Sequence, residues 1–358
     1  MPLKTIESFD VKFLRIIAEN GVADSALLPP LNDADYKKIY EAMILARAFN
    51  RTALALQREG RIGTYASILG QEASQIGSAL AFDDADWLIP SFRESGVFIA
   101  KGYPLWMLYR YWMGDERGMK CPENLNIFPM CVPVGSQITQ GAGVGMAMKY
   151  KGDKKAVGVY FGDGGSSRGD FHEGMNFAGV FNAPVVFLCQ NNQWAISVPR
   201  SRQSAGKTIA QRAAAYGFEG IQVDGNDVIA VYKATLDAVT KAKNGNGATL
   251  IECFTYRLDD HTTSDDASRY RAKEEVEEWK KKEPLIRLKS FMEKKGILTK
   301  DYEDGVANRC EAAVHKAVGE AEAFPKPVPS DMVRHTSKDL SPRQVNELKE
   351  HGWESKQS

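Results

Sequence analysis

The sequence predicts an α/β fold built on a parallel sheet with helices on both faces, with a helical N-terminal extension and a helical C-terminal part. Three observations predict it. Short apolar runs at Ala156–Phe161, Val185–Cys189, Gly220–Val223 and Thr249–Tyr256 read as strands. Helical segments lie between them, Asp170–Phe181 after the first and Val228–Lys243 before the last. The turn Gly162-Asp163-Gly164-Gly165 joins the first strand directly to its helix. Parallel strands need long crossovers, and crossover helices cover the faces of the sheet they connect.

The elements follow in chain order. Residues 1–31 read as a helix and a linker closing at Pro29-Pro30. Asn32 or Asp33 is placed to cap the next helix, whose apolar positions Tyr36, Ile39, Tyr40, Met43 and Ile44 recur at helical spacing. A helix-rich stretch follows to about Tyr111. Residues 114–135 carry Gly, Pro and Cys without a steady period and read as loop. Small residues (Gly141, Ala142, Gly143, Gly145, Ala147) fill a helix before the first strand. After Tyr256 comes a polar loop over 258–268, then a charged helix from about Lys273 to Lys295. Beyond Phe324 four prolines mark a tail that wraps over a surface. The expected division is 1–31 as an extension, 32–325 as the α/β domain with its helical end, and 326–358 as the tail.

Composition limits the function. The 358 residues are 43% hydrophobic and 26% charged, as in an ordinary enzyme. Forty-six Lys and Arg balance forty-six Asp and Glu. A neutral chain argues against a nucleic-acid platform or a polybasic membrane binder. No run reaches the roughly 18–20 apolar residues of a membrane helix. The N-terminus has acids at Glu7 and Asp10 and no apolar core, so no secretory signal is expected. Five scattered cysteines without CxxC spacing fit free thiols in a reducing, cytoplasmic setting.

Two strand ends carry the chemistry. One is Gly162-Asp163-Gly164-Gly165, the other Gln190-Asn191-Asn192-Gln193-Trp194. Asp163 and Asn192 stand 29 residues apart, which suits one strand–helix–strand unit and brings both to one sheet edge. Sites in parallel sheets form at that carboxyl edge. A carboxylate and an amide oxygen are hard donors suited to Mg²⁺ or Ca²⁺. Glycines beside Asp163 let backbone N–H groups approach an anion, and the next helix begins there with its positive end. Taken singly, the first run is also an ordinary turn and the second an ordinary cap or loop. Taken together they suggest a Mg²⁺-bridged diphosphate.

The run GDG, some thirty residues, then NN, resembles the thiamine diphosphate motif. More of the chain agrees: Gly60-Arg61 through Gly70-Gln71-Glu72-Ala73, Gly162–Asn182, Val185–Ser197, Gly220–Gly225 and Tyr256–Arg271. From about residue 32 to 325 the chain resembles the alpha subunit of the E1 component of 2-oxo acid dehydrogenase complexes, most closely the bacterial pyruvate dehydrogenase branch. The resemblance implies the thiamine diphosphate-binding fold, with thiamine diphosphate and Mg²⁺ as cofactors. It implies Asp163, Asn192 and the main-chain oxygen of Trp194 as Mg²⁺ ligands, and Gly164 and Gly165 as diphosphate contacts. Phe92 and Arg93 match the family's Tyr-Arg pair, with the arginine neutralising phosphate charge. Phe92 has no phenolic hydroxyl, so it packs only. Val132 would touch the aminopyrimidine through its backbone, and Val134 would wedge the cofactor into its bent form. His261 matches the catalytic histidine of the active-site loop. The implied reaction is oxidative decarboxylation of a 2-oxo acid with acyl transfer to the lipoyl group of an E2 acyltransferase. Pyruvate is the first expectation, a branched-chain 2-oxo acid the second and acetoin the third. The glutamate that activates the pyrimidine would come from a separate beta subunit in an α2β2 heterotetramer. Glu72 and Glu94 are candidates in this chain by residue type alone.

His261 has its own case: it follows a strand end, among acids and hydroxyls, and histidine transfers protons near neutral pH. A solvated loop histidine is the plainer reading of the same residues. Gly141-Ala142-Gly143-Val144-Gly145-Met146 half-matches a dinucleotide fingerprint, but close helix–sheet packing explains the glycines better. Gly165-Ser166-Ser167-Arg168-Gly169 fits GxSxG by letter and supplies the rival class, a serine hydrolase using Ser167. That rival leaves Asn192 without a role. His172-Glu173 is not HExxH, because position 176 is Asn.

Overall fold

The computed structural model describes residues 3–334 and 336–353. Its elements in order are β1 (Lys12–Leu14), α1 (Asp33–Arg58), α2 (Glu72–Leu80), β2 (Trp87–Ile89), α3 (Ser95–Ala100), α4 (Leu105–Trp112), α5 (Ser136–Lys151), β3 (Val157–Gly162), α6 (Gly169–Val180), β4 (Val185–Asn191), β5 (Trp194–Ala195), β6 (Val198–Pro199), α7 (Arg200–Gln203), β7 (Glu219–Asp224), α8 (Val228–Lys243), β8 (Thr249–Phe254), α9 (Lys273–Lys280), α10 (Pro284–Lys294), α11 (Lys300–Ala323), α12 (Asp331–Arg334) and α13 (Pro342–Glu350). Six strands form one sheet in the order β1-β7-β8-β4-β3-β2, and every pair is parallel. β5 and β6 make a separate antiparallel ribbon.

The two central strands show why the sheet is covered twice. Along β4, Val186 and Leu188 join one hydrophobic core, while Val185, Phe187 and Cys189 join the other. Alternate side chains point to opposite faces, so a strand apolar at every position needs a helical layer on each side. α2 and α8 lie on the first face, α5 and α6 on the second. Full burial of a side chain such as Phe187 contributes roughly 1.5–3 kcal/mol. The glycines of α5 serve this packing: a Cβ on Gly141 would meet Val159 at 2.2 Å, and one on Gly145 would meet Val185 at 2.5 Å. That close approach accounts for the half-matched dinucleotide fingerprint.

The structure departs from the sequence reading in three places. Among the described residues up to 31, the expected helix is not formed. Phe9, Val11 and Phe13 alternate, and Lys12–Leu14 instead adds a parallel edge strand to β7. A short helix without a packed face is marginal, whereas the sheet edge offers unpaired backbone groups. Asp227 fixes the arrangement by accepting from the Ile16 and Ile17 N–H groups at 2.7 and 2.6 Å. Second, the charged helix after Lys273 is broken into α9 and α10. Pro284 cannot continue a helix but suits a helix start, and Glu283 caps it by accepting from Ile286 N–H at 2.9 Å. Third, β2 crosses the stretch read as helical, pairing with β3. α1 starts where Asn32 predicts, with a reciprocal capping box to Asp35. Among the described residues no helix is long and apolar enough to cross a membrane.

Candidate active site

Register decides the floor of the site. β3 and β4 pair in parallel with Gly162 opposite Gln190, so both strands end at one level of the sheet. Asp163 leaves the first strand and Asn192 the second. A cavity of about 570 Å³ opens there. All ten residues singled out from the sequence line it: Phe92, Arg93, Val132, Val134, Asp163, Gly164, Gly165, Asn192, Trp194 and His261. Val132 and Val134 lie at its mouth, with 57% and 45% of their surfaces exposed.

The floor is polar and buried. Asp163 is 1% exposed, and Gln203 Nε2 donates to its Oδ2 at 2.6 Å. Burial pushes its carboxyl up to about 6, against the pull of that hydrogen bond. Asn192 Nδ2 donates to Gln71 Oε1 at 2.9 Å, and its Oδ1 accepts the Trp194 N–H at 3.2 Å. The turn through Trp194 carries positive φ at Gln193 (73°) and Ile196 (54°), a conformation non-glycine residues rarely adopt. The side-chain amide of Gln193 donates back to the Asn191 carbonyl and Oδ1, both at 3.0 Å.

The wall is cationic. Arg93 is 6% exposed; its Nη1 donates to Ser67 O at 2.6 Å and its Nη2 to His261 O at 2.8 Å. Nη2 also stands 3.0 Å from His261 Nδ1. Burial and the neighbouring Arg257 lower the Arg93 guanidinium to about 10. Arg257 is fully buried and donates to Ile196 O and Tyr270 Oη at 2.8 Å each, and to Trp194 O at 3.3 Å. Burial first, then Arg93 and Arg257, push His261 down to about 3. The imidazole is therefore neutral at pH 7. Guanidinium donors at Nδ1 make that nitrogen the acceptor, so the proton sits on Nε2. Phe92 packs edge-on against the imidazole, with ring centroids 6.0 Å apart, and lies 5.4 Å from the Arg93 guanidinium carbon.

Gln190 on the lining, and Gln75 and Arg257 behind it, had no role in the sequence reading, and Glu94 was named by residue type alone. Gln190 donates to Glu94 Oε1 at 2.6 Å, and Gln75 donates to Gln190 Oε1 at 2.9 Å. Glu94 is buried, and burial pushes its carboxyl up to about 7. Gln190 lay inside the strand-end run Gln190–Trp194, and Arg257 inside the stretch Tyr256–Arg271. The missing signal was contact across more than 60 residues of sequence. Glu72 is held by Arg47 Nη2 at 2.7 Å and by Gly70 N–H at 2.8 Å. Ser167 is exposed and does not line the cavity, while His261 faces two arginines. The hydrolase arrangement is thus not assembled.

The donor set fits a cation bridging to a diphosphate. Among the described residues neither Asp163 nor Arg93 makes an ion pair, although each carries a buried charge on one cavity. Buried charges without partners are costly, and a cation–anion ligand would neutralise both. Gln71 Nε2 is a further buried donor without a partner on the same wall. Asp163 Oδ1 adds a hard oxygen of the kind magnesium takes.

The family described as "Dehydrogenase E1 component" matches residues 40–330. The chain is 42% identical over 322 residues to the pyruvate dehydrogenase E1 component subunit alpha of Bacillus cereus, covering 89% of this chain and 87% of that one. It is 40% identical over 342 residues to the protein of the same name from Staphylococcus aureus, covering 94% and 92%. The Bacillus subtilis protein of that name is 40% identical over 322 residues, covering 89% and 87%. A family match across most of the chain and relatives aligned nearly end to end agree: this chain belongs to the dehydrogenase E1 component family.

Proposed function

We propose that this chain is the alpha subunit of a thiamine diphosphate- and Mg²⁺-dependent pyruvate dehydrogenase E1 component. One observation carries the reading: an unpaired buried carboxylate and an unpaired buried guanidinium face one cavity at the ends of two registered strands. Identity of 40–42% to pyruvate dehydrogenase alpha subunits supports pyruvate as the substrate. Asp163 and Asn192, with the main-chain oxygen of Trp194, hold Mg²⁺. Gly164 and Gly165 bring backbone N–H groups to the diphosphate, and Arg93 neutralises its charge. Val132 and Val134 pack on the organic part of the cofactor, which removes their exposed surface from water. Phe92 positions the Arg93 and His261 side chains by packing. His261, with its proton on Nε2, donates a hydrogen bond toward the reacting carbonyl or the incoming lipoyl group. Bound here, thiamine diphosphate supplies the nucleophilic carbon and the electron sink for decarboxylation.

The acid that activates the cofactor's pyrimidine comes from a beta subunit. Within this chain Glu94 is occupied by Gln190 and the Arg93 N–H, and Glu72 by Arg47. The working unit is an α2β2 heterotetramer that passes acyl groups to a lipoyl-bearing E2 in the cytoplasm. Residues 32–325 form the cofactor-binding unit, with 1–31 and 326–358 as its extensions. The test is co-expression with the beta chain and turnover of pyruvate against 3-methyl-2-oxobutanoate. Faster turnover of pyruvate is expected. Preference for the branched acid would move the chain to that branch, and full activity of this chain alone would overturn the two-subunit reading.

A further inference from the structure

We propose that Gln203 sets the cation preference of this site by hydrogen-bonding one oxygen of Asp163 and so favouring metal contact through the other. The inference rests on the assignment of Asp163 as a cation ligand in the preceding subsection. Gln203 closes α7, 40 residues after Asp163. Its Nε2 donates to Asp163 Oδ2 at 2.6 Å and to Val198 O at 3.2 Å, so both amide hydrogens are used. Rotating the amide by half a turn would set its oxygen against a carboxylate oxygen and a carbonyl, so the donor orientation is fixed. Its Oε1 is buried without a partner and adds no competing hold on the amide. The loop is also confined on its inner side. A Cβ on Gly164 would meet Ala195 at 2.9 Å, and Ala195 belongs to the ribbon that leads into α7.

The consequence follows from what each ion accepts. Ca²⁺ takes six to eight oxygens at variable angles and often both oxygens of one carboxylate. Mg²⁺ demands a near-octahedral shell, which the narrow angle between two carboxylate oxygens does not fit. An N–H fixed on Oδ2 competes with a metal for that oxygen and favours a single metal–oxygen contact through Oδ1. That costs Mg²⁺ little and weakens the second contact that Ca²⁺ often takes. Gln203 is therefore a positioning residue that acts through Asp163.

The experiment titrates Mg²⁺ or Ca²⁺ into the full chain assembled with its beta subunit at fixed thiamine diphosphate, reading affinity by calorimetry. Gln203→Leu removes the donor at nearly constant size, and Gln203→Glu replaces it with an acceptor. The Mg²⁺-to-Ca²⁺ affinity ratio is expected to fall about fivefold in Gln203→Leu, the scale of one weak contact, and further in Gln203→Glu. A change smaller than about threefold in both variants, with wild type binding normally, overturns the proposal. Wild type that binds thiamine diphosphate equally with and without a divalent cation would overturn the assignment of Asp163, and this inference with it.

Discussion

The floor and the wall of the cavity are built by different means. Asp163 and Asn192 extend from β3 and β4, whose hydrogen-bond ladder fixes Gly162 opposite Gln190 and whose side chains are buried on both faces. His261 lies in a segment without regular structure between β8 and the turn at Ala267–Arg269. It is hung from Arg93, 168 residues away, with Arg257 close by and Asp265 accepting its backbone N–H at 2.9 Å. The floor moves only if the sheet opens, whereas the wall is released when a few charged hydrogen bonds are lost. A metal site needs the first kind of support. A surface that must admit substrate and a lipoyl group is served by the second.

The largest expected effect breaks the floor. Asp163→Ala should lower Mg²⁺-dependent cofactor affinity by about 100-fold or more, because a ligand and not merely its support is removed. Calorimetry with the assembled enzyme reads this. The empty chain should melt no lower than wild type, since the variant removes a buried carboxylate without a cationic partner. Loss of folding instead would make Asp163 part of the scaffold and erase the distinction between floor and ligand.

Breaking the wall should act locally. Arg257→Met removes donors to Trp194 O, Ile196 O and Tyr270 Oη, worth about 3 kcal/mol together. Amide exchange should quicken over 257–270 while β4 keeps its protection. Equal quickening in β4 would show that wall and floor open as one unit.

A third effect is expected in acid. His261 titrates at about 3 in the folded chain and near its ordinary 6.5 when unfolded. Between those values the unfolded chain binds a proton that the folded chain refuses, so stability from this group falls as pH drops from 6.5 toward 3. Glu94 and Asp163, raised to about 7 and about 6, bind protons more readily when folded and act in the opposite direction. The measurement is therefore the difference between wild type and His261→Gln across that range. The variant should lose about 1 kcal/mol less on acidification, allowing for screening of a half-buried ring. Parallel pH curves for the two proteins would mean that the imidazole titrates normally and that the arginines do not hold it.

The same division explains what could be read from the sequence. β3, β4, α8 and the cap of α1 were legible because short-range pattern and turn chemistry determine them. Asp163 and Asn192 were legible because one crossover unit fixes their separation. Phe92, Arg93, Val132 and Val134 rested on resemblance, and His261 on resemblance and its place after a strand end, since no local pattern carries two loops to one cavity. Gln203 and Arg257 were given no role, and Glu94 was named by residue type alone. Their partners lie 40, 63 and 96 residues away, and glutamine or arginine in a loop gives no sign of being buried. The edge strand β1 was missed because its pairing surface on β7 is formed by residues two hundred positions later.

The smallest effect lies where floor and wall meet. Ile196 holds φ at 54°, which crowds Cβ against the carbonyl. Its carbonyl is fixed by Arg257, and Arg200 N–H donates to Gln193 O at 2.8 Å, so the surroundings keep it there. The side chain is 56% exposed and contributes little burial. Ile196→Gly should relieve about 1 kcal/mol of backbone strain and return part of it as unfolded-state entropy, leaving a net gain of about 0.5 kcal/mol. Thermal melting of the empty chain reads this, with Ile196→Ala as the control. Alanine trims the side chain but keeps the Cβ that causes the crowding, so it should gain nothing. An equal gain from alanine would trace the effect to an exposed apolar side chain, and the junction would then be an unstrained loop resting on the floor.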